Sequence, residues 1–227
     1  MVAIFMAVMF LGFILIDLAL QKVAAHRKVA TLALAGTAGQ ASWKAPDWKL
    51  PEGVYVAGGH SWLQPKVNGE VALGADELLG YALGNASEVI LPRVGVRVRK
   101  GDPLFHLALD GGVLTVESPV EGKVVSVNER LKELPTLVVE EPYKSGWVCS
   151  VLPVGSESSK SSALSGSRAI AWLDREFCRF SDFISGQATY DLALGTTSQD
   201  GGLAASGSLA HLDPGVLSAF ENQFLSS

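Results

Sequence analysis

Between residues 51 and 153 the chain never stays apolar for long. Val71–Leu73, Val89–Leu91, Val94–Val98, Leu104–Leu109, Val113–Val116, Lys123–Val127 and Thr136–Val139 are short runs cut apart by Gly, Pro and Asp. Runs of this length suit strands and are too short for stable helices. Val96, Val98, Val124, Val125 and Val127 are β-branched, as a half-buried pleated surface favours. Their spacing predicts a small barrel or sandwich of about 100 residues. One short helix fits Asp76–Leu83, stopped by Gly84 at its C′ position.

The rest of the composition narrows the class. With 48% hydrophobic residues in 227, the chain can bury a core and is not a disordered polymer. A net charge of −5 argues against nonspecific nucleic-acid binding as the main task. Two cysteines, Cys149 and Cys178, make neither a disulfide framework nor a metal cluster. The first 50 residues are net basic and the remainder is net acidic.

Residues 2–16 carry no charge and no proline; Asp17 interrupts, and Leu18–Leu20 continue the run. A helix over 2–20 would span about 28 Å, close to the hydrocarbon thickness of about 30 Å. A cleaved signal peptide would need its positive charge before the apolar run. Here Lys22, Arg27 and Lys28 follow it, so the expectation is a single-pass helix over 1–21 in the inner membrane, N-terminus out and the remainder cytoplasmic. A buried core helix is the alternative. Asp17 reads either as an interfacial carboxylate or as a polar contact to a neighbouring membrane helix. Residues 22–50 read as a basic flank and linker. Trp43 and Trp48 in it either sit at the membrane interface or cover the next domain.

Two segments of the 51–153 domain say more. Residues 92–104 and 118–128 each place glycines at turns between valine-rich strands, as the two halves of a biotinyl/lipoyl-type flattened barrel do. His60 and Trp62 resemble the opening His-x-Trp strand of the glycine cleavage system H protein family. Residues 74–92 are similar to its helix, the Leu-Gly that ends it and the Leu-Pro that follows. Val127-Asn128 with Leu131, and Pro142-Tyr143 with Gly146-Trp147, match two later motifs of that family. The resemblance covers about 100 residues and implies a mainly β, lipoyl-like sandwich. In that family a hairpin-tip lysine carries lipoate, eight residues before the proline of a Ser-Pro pair. Counting back from Pro119 lands on Gly111, within Leu109-Asp110-Gly111-Gly112, and no lysine occurs between Lys100 and Lys123. An amide to lipoate needs a primary amine. The tight turn is kept, and the expectation is no cofactor and no swinging-arm chemistry.

The last segment, 154–227, opens on a Ser-rich linker. Arg168–Ile184 then places Ile170, Leu173, Phe177, Phe180 and Ile184 on one helical face, beside Trp172, with Ser167 as N-cap. Asp213-Pro214 signals a final helix with Leu217, Phe220, Phe224 and Leu225 on one face. Such short helices must pack on something: the barrel and each other, or a partner groove. Trp172, Phe177, Phe180, Phe220 and Phe224, with Asp17, are the candidate partner contacts.

His26, His60, His106 and His211 show no metal-ligand spacing, and no Ser-centred nucleophile motif occurs. The sequence therefore predicts no metal site, no catalysis, no small-molecule substrate and no nucleic acid. The expected function is a membrane-tethered scaffold subunit of a larger complex, respiratory or sensory, recruiting protein partners through 168–227. An adaptor of a transport system is the alternative, although Lys100 to Ser118 leaves no room for the long helical hairpin of efflux adaptors. A lipoyl carrier modified elsewhere is a further one.

Overall fold

The computed structural model describes residues 45–154, 163–193, 205–210 and 212–226. The expected membrane helix over 2–20, Asp17, the basic flank and Trp43 lie outside the described residues. Among the described residues no helix is long and apolar enough to cross a membrane.

Three strands come first: β1 (Tyr55–Ala57), β2 (Ser61–Pro65) and β3 (Val71–Ala75). Helix α1 (Glu77–Leu83) leads to β4 (Glu88–Ile90), β5 (Arg97–Val98), β6 (Pro103–Leu109), β7 (Gly112–Glu117) and β8 (Gly122–Val127). A short helix α2 (Leu137–Glu140) precedes β9 (Cys149–Pro153). These strands form a six-stranded sheet of order β1-β2-β3-β9-β8-β5 and a three-stranded sheet of order β4-β6-β7, antiparallel throughout.

Alternation along the strands makes the core. Phe105, Leu107, Leu114 and Val116 of the smaller sheet share one buried cluster with Leu63, Leu73, Val124 and Val151 of the larger. The other face of the larger sheet carries a second cluster of Val56, Trp62 and Ala72. Gly74 lies opposite Trp62 across the β2–β3 pair. A Cβ there would meet the indole at 2.7 Å, so glycine makes room for the ring.

Helix α1 forms as expected. Asp76 caps it, its Oδ1 accepting from the Leu79 amide at 2.9 Å. Gly84 ends it at φ +66. Two expected strands differ. Thr136–Val139 is the helical turn α2, because Pro135 starts a turn and the amides of Val139 and Glu140 both donate to the Thr136 carbonyl at 2.9 Å. Only Val138 of that run is fully buried, one contact per turn instead of alternation. The expected Val94–Val98 strand shortens to Arg97–Val98, leaving Val94 58% exposed.

The outer edge of β1 is closed by Leu164: Val56 and Leu164 exchange two backbone hydrogen bonds of 2.8 Å. Next comes α3 (Gly166–Ala193), longer than expected at both ends, so Ser167 lies inside the helix and not at its cap. Its apolar stripe is buried: Leu173, Phe177, Phe180 and Ile184. Trp48 covers the domain, as one reading of the linker had it, donating its indole N–H to Asp174 of α3 at 3.0 Å. The last helix, α4 (Pro214–Phe220), continues as a π turn over Glu221–Leu225. Phe180, Ile184, Leu209, Leu217, Phe220, Phe224 and Leu225 all join the core of the sandwich. Residue 153 is therefore not an edge of the core, and the compact unit runs from Ala45 onward.

Candidate functional site

The β6–β7 hairpin is paired from Phe105–Val116 to Leu109–Gly112, so Asp110 and Gly111 make its tip. Asp110 is exposed, while Gly111 and Gly112 are partly covered. The cover is the C-terminal segment. A Cβ at Gly111 would lie 2.5 Å from the carbonyl oxygen of Leu212 and 3.2 Å from Cδ1 of Leu217. Along the outer edge of β7, the Thr115 amide donates to Oε1 of Glu221 at 2.9 Å. The position that the sequence singled out thus carries no amine and lies against the chain's own end.

Beyond the hairpin the same segment reaches His60, which is buried at φ +54. His60 Nδ1 is 2.9 Å from Oδ2 of Asp76, and its Nε2 is 3.8 Å from Oε2 of Glu176 on α3. Arg179 donates to the same Glu176 oxygen at 2.6 Å. Trp172 and Phe224 lie on the imidazole, ring centroids 5.1 and 6.2 Å away. Burial alone would push the imidazolium's pKa down, but Asp76 and then Glu176 outweigh it and hold it up at about 9. Burial pushes Glu176 up, yet the nearby His60 imidazolium and the hydrogen bond from Arg179 win and hold its carboxyl below the usual range. This charge cluster is missed by sequence spacing, because its members sit 16 and 116 residues apart and only the packed α3 brings them together.

The candidate contact residues point inward. Phe177 packs edge-on against Trp48 and Tyr81, with ring centroids 6.0 and 5.6 Å away. Phe220 stacks on Phe224 at 4.8 Å and meets Phe180 edge-on at 5.9 Å. Trp172 is half-buried against His60. Asp17, His26 and His211 lie outside the described residues. His106 sits on β6, its Nδ1 3.2 Å from the Thr115 hydroxyl. Cys149 is buried, which pushes its thiol up to about 12, and Cys178 is exposed on α3. Among the described residues no group of three or more His, Cys, Asp or Glu side chains is placed to hold a metal. A groove of about 760 Å³ runs beside β4, lined by Glu88, Ile90, Arg93, Val127, Glu129 and Lys132.

Other motif residues hold the frame. The Asn128 amide donates to the carbonyls of Ser145 and Trp147 at 2.7 and 2.8 Å, tying that loop to the end of β8. The Tyr143 hydroxyl accepts from the Glu77 amide at 3.2 Å, at the start of α1.

A two-sheet antiparallel sandwich with a β6–β7 hairpin and these framing residues is a lipoyl-type domain. The family model for the glycine cleavage H-protein matches residues 54–174, and the chain belongs to that family. It is 36% identical over 111 residues to the probable glycine cleavage system H protein of Thermococcus kodakarensis, a match over 49% of this chain and 82% of that one. The glycine cleavage system H protein of Coprothermobacter proteolyticus is 34% identical over 103 residues, 45% of this chain and 81% of its own. The crystal structure of an H protein from Mycobacterium marinum aligns with TM-score 0.47 and 27% identity, over 54% of this chain and 98% of that one.

These relatives correct the expected function. They are named for glycine cleavage and not for a respiratory, sensory or transport assembly. The physical basis of the scaffold expectation also falls away, since Phe177, Phe180, Phe220 and Phe224 are consumed by internal packing.

Proposed function

We propose that the chain is an H-protein-type recognition module for proteins of the glycine cleavage system, without a lipoyl arm of its own and without catalysis. One observation carries this reading. The hairpin tip at Gly111 has no amine, it is closed under Leu212 and Leu217, and no lysine lies between Lys100 and Lys123. The family frame supports recognition by proteins that bind H-type surfaces, and the missing amine removes the carrier step. Nucleic acid and small-molecule substrates play no part in it. The uncharged run at 2–16 supports a membrane location for the module, whatever it binds.

Two measurements test the reading. Intact mass of the full chain, expressed where lipoate is available, is expected to equal the sequence mass after N-terminal processing; a lipoyl adduct on any lysine overturns it. In reconstituted glycine cleavage, the full chain is expected to compete with a lipoylated H protein in a concentration-dependent way. Unchanged turnover at excess chain overturns the recognition role. Recovery of the intact chain in the soluble fraction would overturn the membrane location alone.

A further inference from the structure

The C-terminal segment that closes the hairpin begins well after residue 174, where the family match ends. It nonetheless docks with backbone against backbone at three places. At the end of α1, Gly207 and Leu209 donate to the carbonyls of Tyr81 and Ala82 at 2.9 and 3.0 Å. These acceptors belong to the last turn of α1, whose carbonyls point past the helix end. Gly84 and Gly207 approach so closely there that a Cβ on Gly84 would sit 2.5 Å from the Gly207 Cα. At the hairpin tip the Leu212 carbonyl stands over Gly111. A Cβ on Gly59, beside His60, would lie 2.7 Å from the Leu225 carbonyl oxygen. Between these points Leu217, Phe220 and Phe224 are buried, and Glu221 takes the outward amide of Thr115.

We propose that residues 205–210 and 212–226 are a built-in cover over the β6–β7 hairpin, and that the absence of a side chain at 111 is the condition for its closing. A swung rotamer cannot relieve a clash between a Cβ and a backbone carbonyl, so any L-residue at 111 must move the tip and the cover apart. The cover and an arm-bearing tip therefore exclude each other. A partner that reads the hairpin must first open the cover, and its apparent affinity falls by the fraction of molecules that are open. The steric exclusion stands by itself; self-inhibition rests on the proposed recognition role.

Amide hydrogen exchange on the full chain tests this. Gly111→Ser is expected to accelerate exchange at Gly207, Leu209 and Thr115 by roughly tenfold or more, as local opening would. The amides of Val124 and Val148, bonded to the carbonyls of Val96 and Leu73 inside the sandwich, are expected to hold their rates. Gly186→Ala on α3, where a Cβ meets nothing within 4 Å, is the control. If Gly111→Ser does not fold, Glu221→Ala removes the acceptor of Thr115 and is expected to move the same amides. Unchanged cover amides overturn the proposal. Equal acceleration of Val124 and Val148 overturns it as well, because residue 111 would then support the whole fold and not a separable cover. A lipoyl adduct on the wild-type chain would refute the non-carrier reading and leave the exchange result standing.

Discussion

Stability should fall as pH rises from about 6 to 9, and His60 should be the cause. In the folded chain its imidazolium lies between Asp76 and Glu176 and holds its proton up to about 9, against 6.5 for a free side chain. The folded state thus binds this proton more tightly than the unfolded state. The stabilisation is fully present below pH 6.5 and is lost as pH climbs through about 9. Each tenfold gain in proton affinity is worth about 1.4 kcal/mol, so the contribution is on the order of 3 kcal/mol. The groups facing the ring are Asp76 at the cap of α1, Glu176 and Arg179 on α3, and the rings of Trp172 and Phe224. Urea unfolding of the full chain, run at intervals from pH 6 to pH 9, reads the slope. The comparison is His60→Gln, which keeps a donor but cannot change charge. It is expected to be less stable at pH 6 and to lose most of the slope. Cys149 must be kept out of the window. Its thiol stays protonated in the fold up to about 12, so its own loss of stability starts only near pH 9, where the unfolded thiol ionises. A flat wild-type profile between pH 6.5 and 9, or the same slope in His60→Gln, would refute the reasoning.

Three further outcomes follow from the packing. Gly84→Val is expected to destabilise by roughly 2 kcal/mol or more in thermal unfolding, since φ is +66 and the new Cβ meets Gly207. Phe220→Ala removes a fully buried ring stacked on Phe224 and is expected to cost about 3–5 kcal/mol in urea unfolding; a cost under about 1 kcal/mol would mean that the C-terminal helix is not part of the core. Asp76→Ala takes away both the cap of α1 and the partner of His60. Its cost, measured at pH 6, is expected to exceed the roughly 1 kcal/mol of a capping residue alone.

Much of the sandwich was legible because strands buried on one face announce themselves by alternation, as Leu104–Leu109 and Val113–Val116 do. The stop at Gly84 was legible because local chemistry decides it, whereas Asp76, which the sequence places as the first residue of the helix, is its cap. Thr136–Val139 misled because four apolar residues are too few to separate a strand from one turn of helix, and Pro135 tipped the balance. The hairpin tip was found by counting from Pro119, but what lies over it was not. That depends on Leu212 and Leu217 returning from about 100 residues away, and no local period records such a return. The aromatic faces near the C-terminus were read correctly as faces that must be covered. Their partner proved to be the sandwich itself, a choice between two burials that hydrophobicity alone does not make.

The bridge between Val56 and Leu164 has a consequence for how molecules of this chain meet one another. A sheet edge offers unpaired amides and carbonyls to any passing strand, and so invites sheet-to-sheet growth. At β1 the outward amide and carbonyl of Val56 are already engaged by Leu164. At the opposite end of the sheet, β5 is two residues long and presents Arg97. Among the described residues the larger sheet thus ends in a strand closed by the chain itself on one side and in a two-residue, charged strand on the other, so crowding many copies side by side, as confinement to a surface would do, gives that sheet little ladder to extend.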